Sequence, residues 1–229
     1  MIEAHPGGLP ILLAGDRIPE GAPLPAVVNP TSAAGISKRA VDFLVSAVMI
    51  VVLAIPMLLI AVLVKADSPG PILYRSRRIG RHGRPFDMLK FRTMVVDAHL
   101  RRQDLMHLTE APDGLFKIQN DPRLTRLGRL LRVTSLDELP QILHVLTGTM
   151  SLVGPRPLPP DEDALIAGGG LRAEARPGVT GPWQVAGSWR IPLKEMIRMD
   201  DAYISNWSFG QDLKLMSRSV LHMLRRNGV

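Results

Sequence analysis

No cysteine occurs anywhere in the chain, so disulfides, thiolate metal sites and cysteine nucleophiles are excluded together. Aromatic residues are nearly as sparse, at 4%. The basic middle of the chain holds only Tyr74, Phe86, Phe91 and Phe116, too few to interleave with cations as a nucleic-acid stacking surface does. Nucleic acid is therefore not an expected partner. The Gly-Lys-Ser/Thr of a P-loop is missing, and the glycine-rich run from Arg176 to Gly187 lacks the strand–GxGxxG–helix context of a dinucleotide site. Acidic residues are in deficit: 21 Asp and Glu against 28 Lys and Arg leave a formal charge of +7. That balance points to an anionic partner, whether a membrane surface or a phosphorylated substrate. The imbalance is local, because Lys65 to Arg132 alone holds 15 basic and 7 acidic residues.

What the chain does have is one long apolar run. Phe43 to Val64 is 22 residues without a charge, about 33 Å as a helix and enough to cross the hydrocarbon of a bilayer. A buried helix of a soluble core is the competing account. Pro56 removes a backbone hydrogen bond and is expected to kink the helix. Lys38 and Arg39 precede the run, and Lys65, Arg75, Arg77 and Arg78 follow it. The cytoplasmic preference of basic flanks would keep both ends on one side. A re-entrant helix that bends at Pro56 and returns to its own face satisfies this, whereas a spanning helix does not. Residues 1–37 contain six prolines and no periodicity and read as an irregular extension without the features of a secretory signal.

After a turn at Asp67–Pro71, Ile72–Tyr74 and Phe86–Phe91 read as short strands joined through Arg81–Arg84, a small β-hairpin. Lys90 and Arg92 flank Phe91 and would share one strand face as an anion site. Val95–Thr109 reads as a charged, exposed helix broken at Ala111–Gly114. Asp121–Val133 reads as a second helix, with Leu124, Leu127, Leu130 and Leu131 as its apolar stripe. Ser151–Pro157 is a proline-set loop carrying Arg156, and two prolines around one guanidinium suit a group that has to be aimed. Gly168–Gly170 reads as a joint. Thr180, Trp183 and Gln184 are candidate contacts to a base or sugar. Leu193–Ile204 and Asp212–Leu224 close the chain as helices. The second has apolar and basic faces suited to a membrane interface, where Trp189 and Trp207 would also sit.

The chemistry is expected at Thr134–Gln141, where Asp137 and Glu138 follow arginines at 123, 126, 129 and 132. Arginines hold phosphate oxygens through charge-assisted bonds, while carboxylates attack phosphorus or bind a metal. A structural account competes. Ser135-x-x-Glu138 fits a capping box, and Asp137 fits an N-cap of a helix running to Gly148 with Pro140 in its first turn.

Several motifs then line up in one order: Ser68-Pro-Gly-Pro71, Lys90-Phe-Arg-Thr-Met94, Asp121-Pro-Arg-Leu-Thr-Arg-Leu-Gly128, Ser135-Leu-Asp-Glu-Leu-Pro-Gln141, Gly154-Pro-Arg-Pro157 and Arg176-Pro-Gly-Val-Thr-Gly181. From Ser37 to Val229 the chain resembles the bacterial sugar transferase family of monotopic polyprenyl-phosphate phosphoglycosyl transferases. The resemblance implies transfer of a sugar 1-phosphate from a UDP-sugar to undecaprenyl phosphate with release of UMP, initiating exopolysaccharide, capsule or O-antigen type glycans. It also implies an anchor in the bacterial inner membrane by a re-entrant helix broken at a proline, here Pro56, with catalysis on the cytoplasmic face. Many members have serine before that proline where this chain has Ile55, and arginine where it has Ser188, with Arg190 two residues on. By resemblance Asp137 is the nucleophile that forms an aspartyl phosphosugar. On the chemistry of the residues themselves, Mg²⁺ is expected at Asp137 and Glu138, with Glu138 holding the metal or assisting proton transfer, and Lys90, Arg92, Arg132, Arg156, Arg176, Thr180 and Gln184 are the candidate contacts to phosphate or substrate.

The expected architecture is mainly α with a small β-hairpin. It comprises an extension (1–37), a re-entrant helix (38–66) and a compact α/β catalytic domain with interfacial amphipathic helices (67–229), with a homodimer as an open arrangement. Two other classes share these features. A membrane-tethered binder of nucleic acid or anionic lipid would use the basic stretch without chemistry, and a metal-dependent nucleotide-sugar hydrolase would use the carboxylates with water as acceptor.

Overall fold

The computed structural model describes residues 25–110, 116–118, 120–166, 170–186 and 191–224. Most of the N-terminal extension, the break at Ala111–Gly114, most of the Gly168–Gly170 joint, Ser188, Trp189 and Arg190 lie outside the described residues.

The first helix, α1 (Ala33–Asp67), is 35 residues long, about 52 Å. Ser32 caps it by accepting from the Gly35 N–H at 2.9 Å, and the element continues through Pro56. It is the one helix among the described residues long and apolar enough to cross a membrane, with a mean hydropathy of 3.2 in its most apolar window. Much of its middle is exposed: Val51 is 77% and Ile55 71% exposed. Both ends, in contrast, are held by the rest of the protein. Near the start, Arg39 donates to the Val145 and Leu146 carbonyls at 2.6 and 2.7 Å, and Asp42 accepts from Ser151 Oγ at 2.7 Å and Leu152 N at 3.1 Å. Near the end, Ile60 and Val64 are buried with Phe91 and Leu131.

The expected hairpin is present. Strand β1 (Leu73–Ile79) pairs antiparallel with β2 (Pro85–Phe91), in a register that sets Tyr74 opposite Lys90, Ser76 opposite Met88 and Arg78 opposite Phe86. The following stretch is not the expected helix. Val95–Thr109 forms only the short 3₁₀ turns Leu100–Arg102 and Met106–Leu108. Leu100, Met106 and Leu108 are exposed, so no packed face offsets the cost of nucleating a longer helix.

Helix α2 (Arg126–Val133) begins later than the leucine pattern suggests. Asp121 binds back to the N–H and Nε of Arg123, and Thr125 supplies the cap by accepting from Gly128 N at 2.9 Å. Gly128 is required at this cap, because a Cβ there would meet the Thr93 carbonyl oxygen at 1.9 Å.

The chain then reverses at Ser135, whose φ of 54° lies in the left-handed region, an uncommon state for a residue with a Cβ. A 3₁₀ turn, Leu136–Gln141, leads into α3 (Ile142–Thr147), which ends at Gly148 with φ of 86°. Two expectations fail here. Asp137 is not an N-cap, and Ser135 makes no side-chain capping bond. The tight i→i+3 turn closes instead through Glu138 N–H to the Ser135 carbonyl at 3.2 Å, and the pair sits inside this turn rather than ahead of a helix.

Strand β3 (Ser151–Val153) pairs in parallel with β4 (Gly178–Thr180), a contact absent from the sequence-based expectation. It lays the Gly154-Pro-Arg-Pro loop beside the Arg176-Pro-Gly run. Between them come α4 (Pro160–Asp163) and the 3₁₀ turns Ala164–Ile166 and Gly170–Glu174; after them come α5 (Pro182–Ala186), α6 (Leu193–Ser205) and α7 (Phe209–Leu224). The last two match the expected terminal helices. The main core gathers Met88, Ile142, Val145, Met150, Val153 and Ile204; a second holds Leu158, Ile166, Trp183, Leu193, Met196 and Ile197. Phe209, Leu213, Val220 and Leu221 of α7 remain exposed, while Trp207 packs against the main core.

Candidate active site

The left-handed residue Ser135 and the 3₁₀ turn after it carry Asp137 and Glu138 against the end of β2. Lys90 reaches over from that strand and donates from Nζ to Glu138 Oε1 at 2.5 Å. Asp137 is 6% exposed, with Lys90, Glu138 and Arg132 as its charged neighbours. Arg132, at the end of α2, is oriented by its Nε bond to Thr93 Oγ1 at 3.1 Å. From the opposite wall comes Arg156, whose guanidinium carbon lies 5.7 Å from the centre of the Trp183 ring. Met88, Lys90, Glu138, Gln141, Arg156, Pro157, Gly178 and Gln184 line one cleft.

The two adjacent carboxylates are driven apart electrostatically. Burial pushes the Asp137 carboxyl above its ordinary value, and the charge on Glu138 adds to this against Lys90 and Arg132. Burial acts the same way on Glu138, but Lys90, Arg156 and Arg78 together overcome it and hold that carboxyl at about 2. Neighbouring carboxyls pushed in opposite directions take different roles in acid–base and nucleophilic chemistry. Glu138 is a fixed anion locked to a lysine. Asp137 is the more basic of the two and the better placed to form a bond.

Three charged residues of this site are missing from the sequence-based set. Arg78, on β1, donates to Ser76 Oγ at 3.0 Å and to the Pro157 carbonyl at 3.3 Å. Burial and Arg156 bring its guanidinium down to about 10. The β1 alternation places Arg78 on the same face as Ser76 and Tyr74, whose partner is Lys90, so the hairpin register was the signal that could have found it. Lys117 is brought down to about 8 by burial and then by Arg156, Arg132 and Lys90. It comes from a stretch too short to classify by pattern. Glu162, on α4, is raised by burial and feels Arg78 and Arg156. Around Asp137 and Glu138 the site thus gathers Lys90, Arg132, Arg156, Arg78 and Lys117, an excess of positive charge suited to phosphate.

Other expected residues go elsewhere. Strand β2 ends at Phe91, so Arg92 does not share a face with Lys90. It turns to donate to the Ser68 and Pro69 carbonyls at 2.6 and 2.7 Å and to Ser68 Oγ at 3.0 Å, closing off the end of α1. Arg176 lines a different cavity, with Lys38, Asp42, Arg81 and Glu174. Thr180 bonds through its hydroxyl to Ser219 of α7. Trp183 is 4% exposed and forms the floor under Arg156, not a free contact to a base. Gln184 stays in the cleft and donates to the Val179 carbonyl at 2.9 Å. Pro56 is exposed on α1.

A divalent cation has a limited donor set here. Among the described residues no group of three His, Cys, Asp or Glu converges, so no all-protein cage exists. Asp137 and Glu138 provide hard oxygen donors in the number Mg²⁺ takes from a protein when substrate phosphates and water complete its shell.

The model of the family described as bacterial sugar transferase matches residues 33–226. A UDP-glucose:undecaprenyl-phosphate glucose-1-phosphate transferase of Caulobacter vibrioides is 41% identical over 213 residues, 89% of this chain and 74% of that protein. The exopolysaccharide production protein ExoY of Sinorhizobium fredii is 38% identical over 191 residues, 81% of this chain and 84% of that one. A UDP-galactose-lipid carrier transferase of Erwinia amylovora is 39% identical over 196 residues, 83% of this chain. This chain spans only 41% of the Erwinia protein's length, and 39–43% of several other relatives. The match begins at the start of α1 and runs through the paired carboxylates to the end of α7, so the chain belongs to the bacterial sugar transferase family.

Proposed function

We propose that this chain transfers a sugar 1-phosphate from a UDP-sugar to undecaprenyl phosphate, releasing UMP, as the first step of a lipid-linked glycan. The observation that carries this function is the Asp137–Glu138 pair, split in basicity and surrounded by Lys90, Arg132, Arg156, Arg78 and Lys117, in a chain of this family. The names of the relatives supply the donor and acceptor classes.

In the first step an Asp137 carboxylate oxygen attacks the sugar-proximal phosphorus. The bond from that phosphorus to the bridging oxygen breaks, and UMP leaves with that oxygen. The aspartyl phosphosugar then yields to an oxygen of the polyprenyl phosphate, which attacks the same phosphorus, frees Asp137 and forms the lipid pyrophosphate. Neither step needs a proton donor, because both leaving groups depart as anions. The chain's part is placing charge where it develops: Arg132 and Lys90 beside the carboxylate pair, and Arg156 from the opposite wall. Held by Asp137 and Glu138, Mg²⁺ would supply further neutralisation of phosphate oxygens.

Membrane embedding follows from the same features. The exposed apolar middle of α1 needs lipid around it, and both its ends dock on one body. A helix whose ends are bound to the same domain does not place them on opposite sides of a bilayer, which favours re-entry at Pro56 from the cytoplasmic face of the inner membrane. The exposed apolar side of α7 would lie in the interface.

The test is UMP release across a series of UDP-sugars, with and without undecaprenyl phosphate. Release that depends on the lipid phosphate is expected. Release with water alone would make the chain a hydrolase, and no release with any UDP-sugar would overturn the proposal.

A further inference from the structure

We infer that Arg172, held from behind by Asp200, is a positioning residue that aims Arg156 at the substrate phosphate. The inference rests on the proposed transfer reaction.

Arg156 stands between Pro155 and Pro157, whose rings fix their own φ angles and remove their N–H groups. The Pro155 carbonyl accepts from the Gly178 N–H at 2.8 Å, and of the two torsions of Arg156 itself ψ, which turns its carbonyl, is already restricted by the proline after it. That carbonyl accepts from Arg172 Nη2 at 2.7 Å. Pinning it restrains ψ of Arg156 and steadies the backbone from which the Arg156 side chain leaves. The guanidinium then rests over Trp183. Arg156 itself makes no hydrogen bond through its guanidinium among the described residues, so its aim depends on the backbone below and the ring beside it.

Arg172 is in turn anchored where water does not reach. Its side chain is 6% exposed and that of Asp200 0%, with Arg172 Nη1 3.6 Å from Asp200 Oδ2 and 3.7 Å from Met196 Sδ. Neither oxygen of Asp200 has a hydrogen-bond partner among the described residues. A buried ion pair with so few hydrogen bonds is a poor source of stability, and apolar replacement of such pairs is commonly neutral or better. Its effect is local instead: it holds one arginine rigid against the back of the loop that presents another. Met196 belongs to the same core as Trp183, so one cluster sets both the floor and the backrest of Arg156.

The experiment combines kinetics with an optical readout. Arg172→Lys keeps the charge opposite Asp200 but loses the planar fork that reaches both the carboxylate and the carbonyl. Arg172→Met with Asp200→Leu removes the pair and fills its volume. Each is expected to lower kcat for UMP release by about ten- to a hundred-fold, with a smaller change in donor KM. In an Arg156→Ala background the same changes are expected to cost nothing further, because their target is gone. With Trp189→Phe and Trp207→Phe leaving Trp183 as the sole indole, Arg172→Lys and Arg156→Ala should shift its emission in the same direction. Wild-type kcat in Arg172→Lys, or losses that add to that of Arg156→Ala, would overturn the inference. If the doubly apolar protein does not fold, Arg172→Lys decides. Should the unaltered enzyme turn over no UDP-sugar, the transfer reaction fails, while the Trp183 signal still reports whether Arg172 holds Arg156.

Discussion

Lys90 Nζ donates to Glu138 Oε1 at 2.5 Å, while Asp137, the next residue back, receives no side-chain hydrogen bond among the described residues. In the proposed reaction that asymmetry divides the labour between two carboxylates that look equivalent in the sequence. Asp137→Asn is expected to reduce UMP release by about a thousand-fold or more and to abolish any sugar-phosphate adduct seen by intact mass. Glu138→Gln keeps the proposed nucleophile, so an adduct should still form, more slowly. The reverse pattern would assign the nucleophile to Glu138.

The raised carboxyl of Asp137 also fixes the sense of a pH profile. In the proposed reaction Asp137 attacks only when ionised, and burial raises its pKa, so the acid limb of kcat/KM is expected above the ordinary carboxylate range. Lys90 is the largest influence holding that pKa down. Lys90→Met should therefore move the acid limb to still higher pH. A limb moving to lower pH would contradict the assignment.

Arg92 and Lys90 are two residues apart and do different things. Arg92→Ala frees the Ser68 and Pro69 carbonyls and Ser68 Oγ at the end of α1. The expected cost is about 2–5 kcal/mol of stability, read as a lower Tm, with donor KM unchanged in the protein that remains folded. Lys90→Ala should change kcat and KM with a small effect on Tm. Comparable Tm losses in both would mean that Arg92 is not the structural member of the two.

Burial and then the adjacent Asp200 bring the Asp201 carboxyl up to about 7. A carboxyl with a raised folded-state pKa takes up protons more readily in the folded chain. Stability therefore rises as pH falls through about 7 toward the unfolded value near 3.8, and the penalty is complete only above about 7. Asp201→Asn removes that penalty. It should raise Tm by several degrees at pH 8 and by less at pH 5, measured by thermal unfolding in detergent. An equal gain at both pH values would show that the carboxyl is not protonated in the folded protein.

Because the chain has no cysteine, single cysteines report topology directly. Ile36 is 57% exposed and Pro71 is exposed, so each tolerates substitution just outside the apolar part of α1. In intact cells both Ile36→Cys and Pro71→Cys should resist a periplasmic thiol reagent. Labelling at residue 36 alone would favour a spanning helix over re-entry.

The linear order of residues was enough for whatever depends on near neighbours. The uncharged run Phe43–Val64, the hairpin, the two closing helices and the stop at Gly148 follow from local periodicity and turn chemistry, and the ordered motifs led to the family. Tertiary structure decided what depends on distant partners. A Thr125 cap shortened α2, exposed leucines left Val95–Thr109 without a helix, and the left-handed Ser135 put Asp137 inside a 3₁₀ turn. The parallel pairing of Ser151–Val153 with Gly178–Thr180 brought two distant motifs side by side. The site divided in the same way. Asp137, Glu138, Lys90, Arg132 and Arg156 were legible as residue types suited to phosphate, and Gln184 as a base or sugar contact, and they converge. Arg92 was drawn off by the carbonyls of a helix end 24 residues earlier, Arg176 and Thr180 went to other partners, and Arg78 and Lys117 entered from segments with no motif of their own. The sequence by itself determined which chemistry the chain is equipped for. Only the tertiary structure decided which of its many cations reach the carboxylate pair, because charge acts through space, and the low-dielectric burial that makes Asp137 differ from Glu138 exists only once the chain is folded.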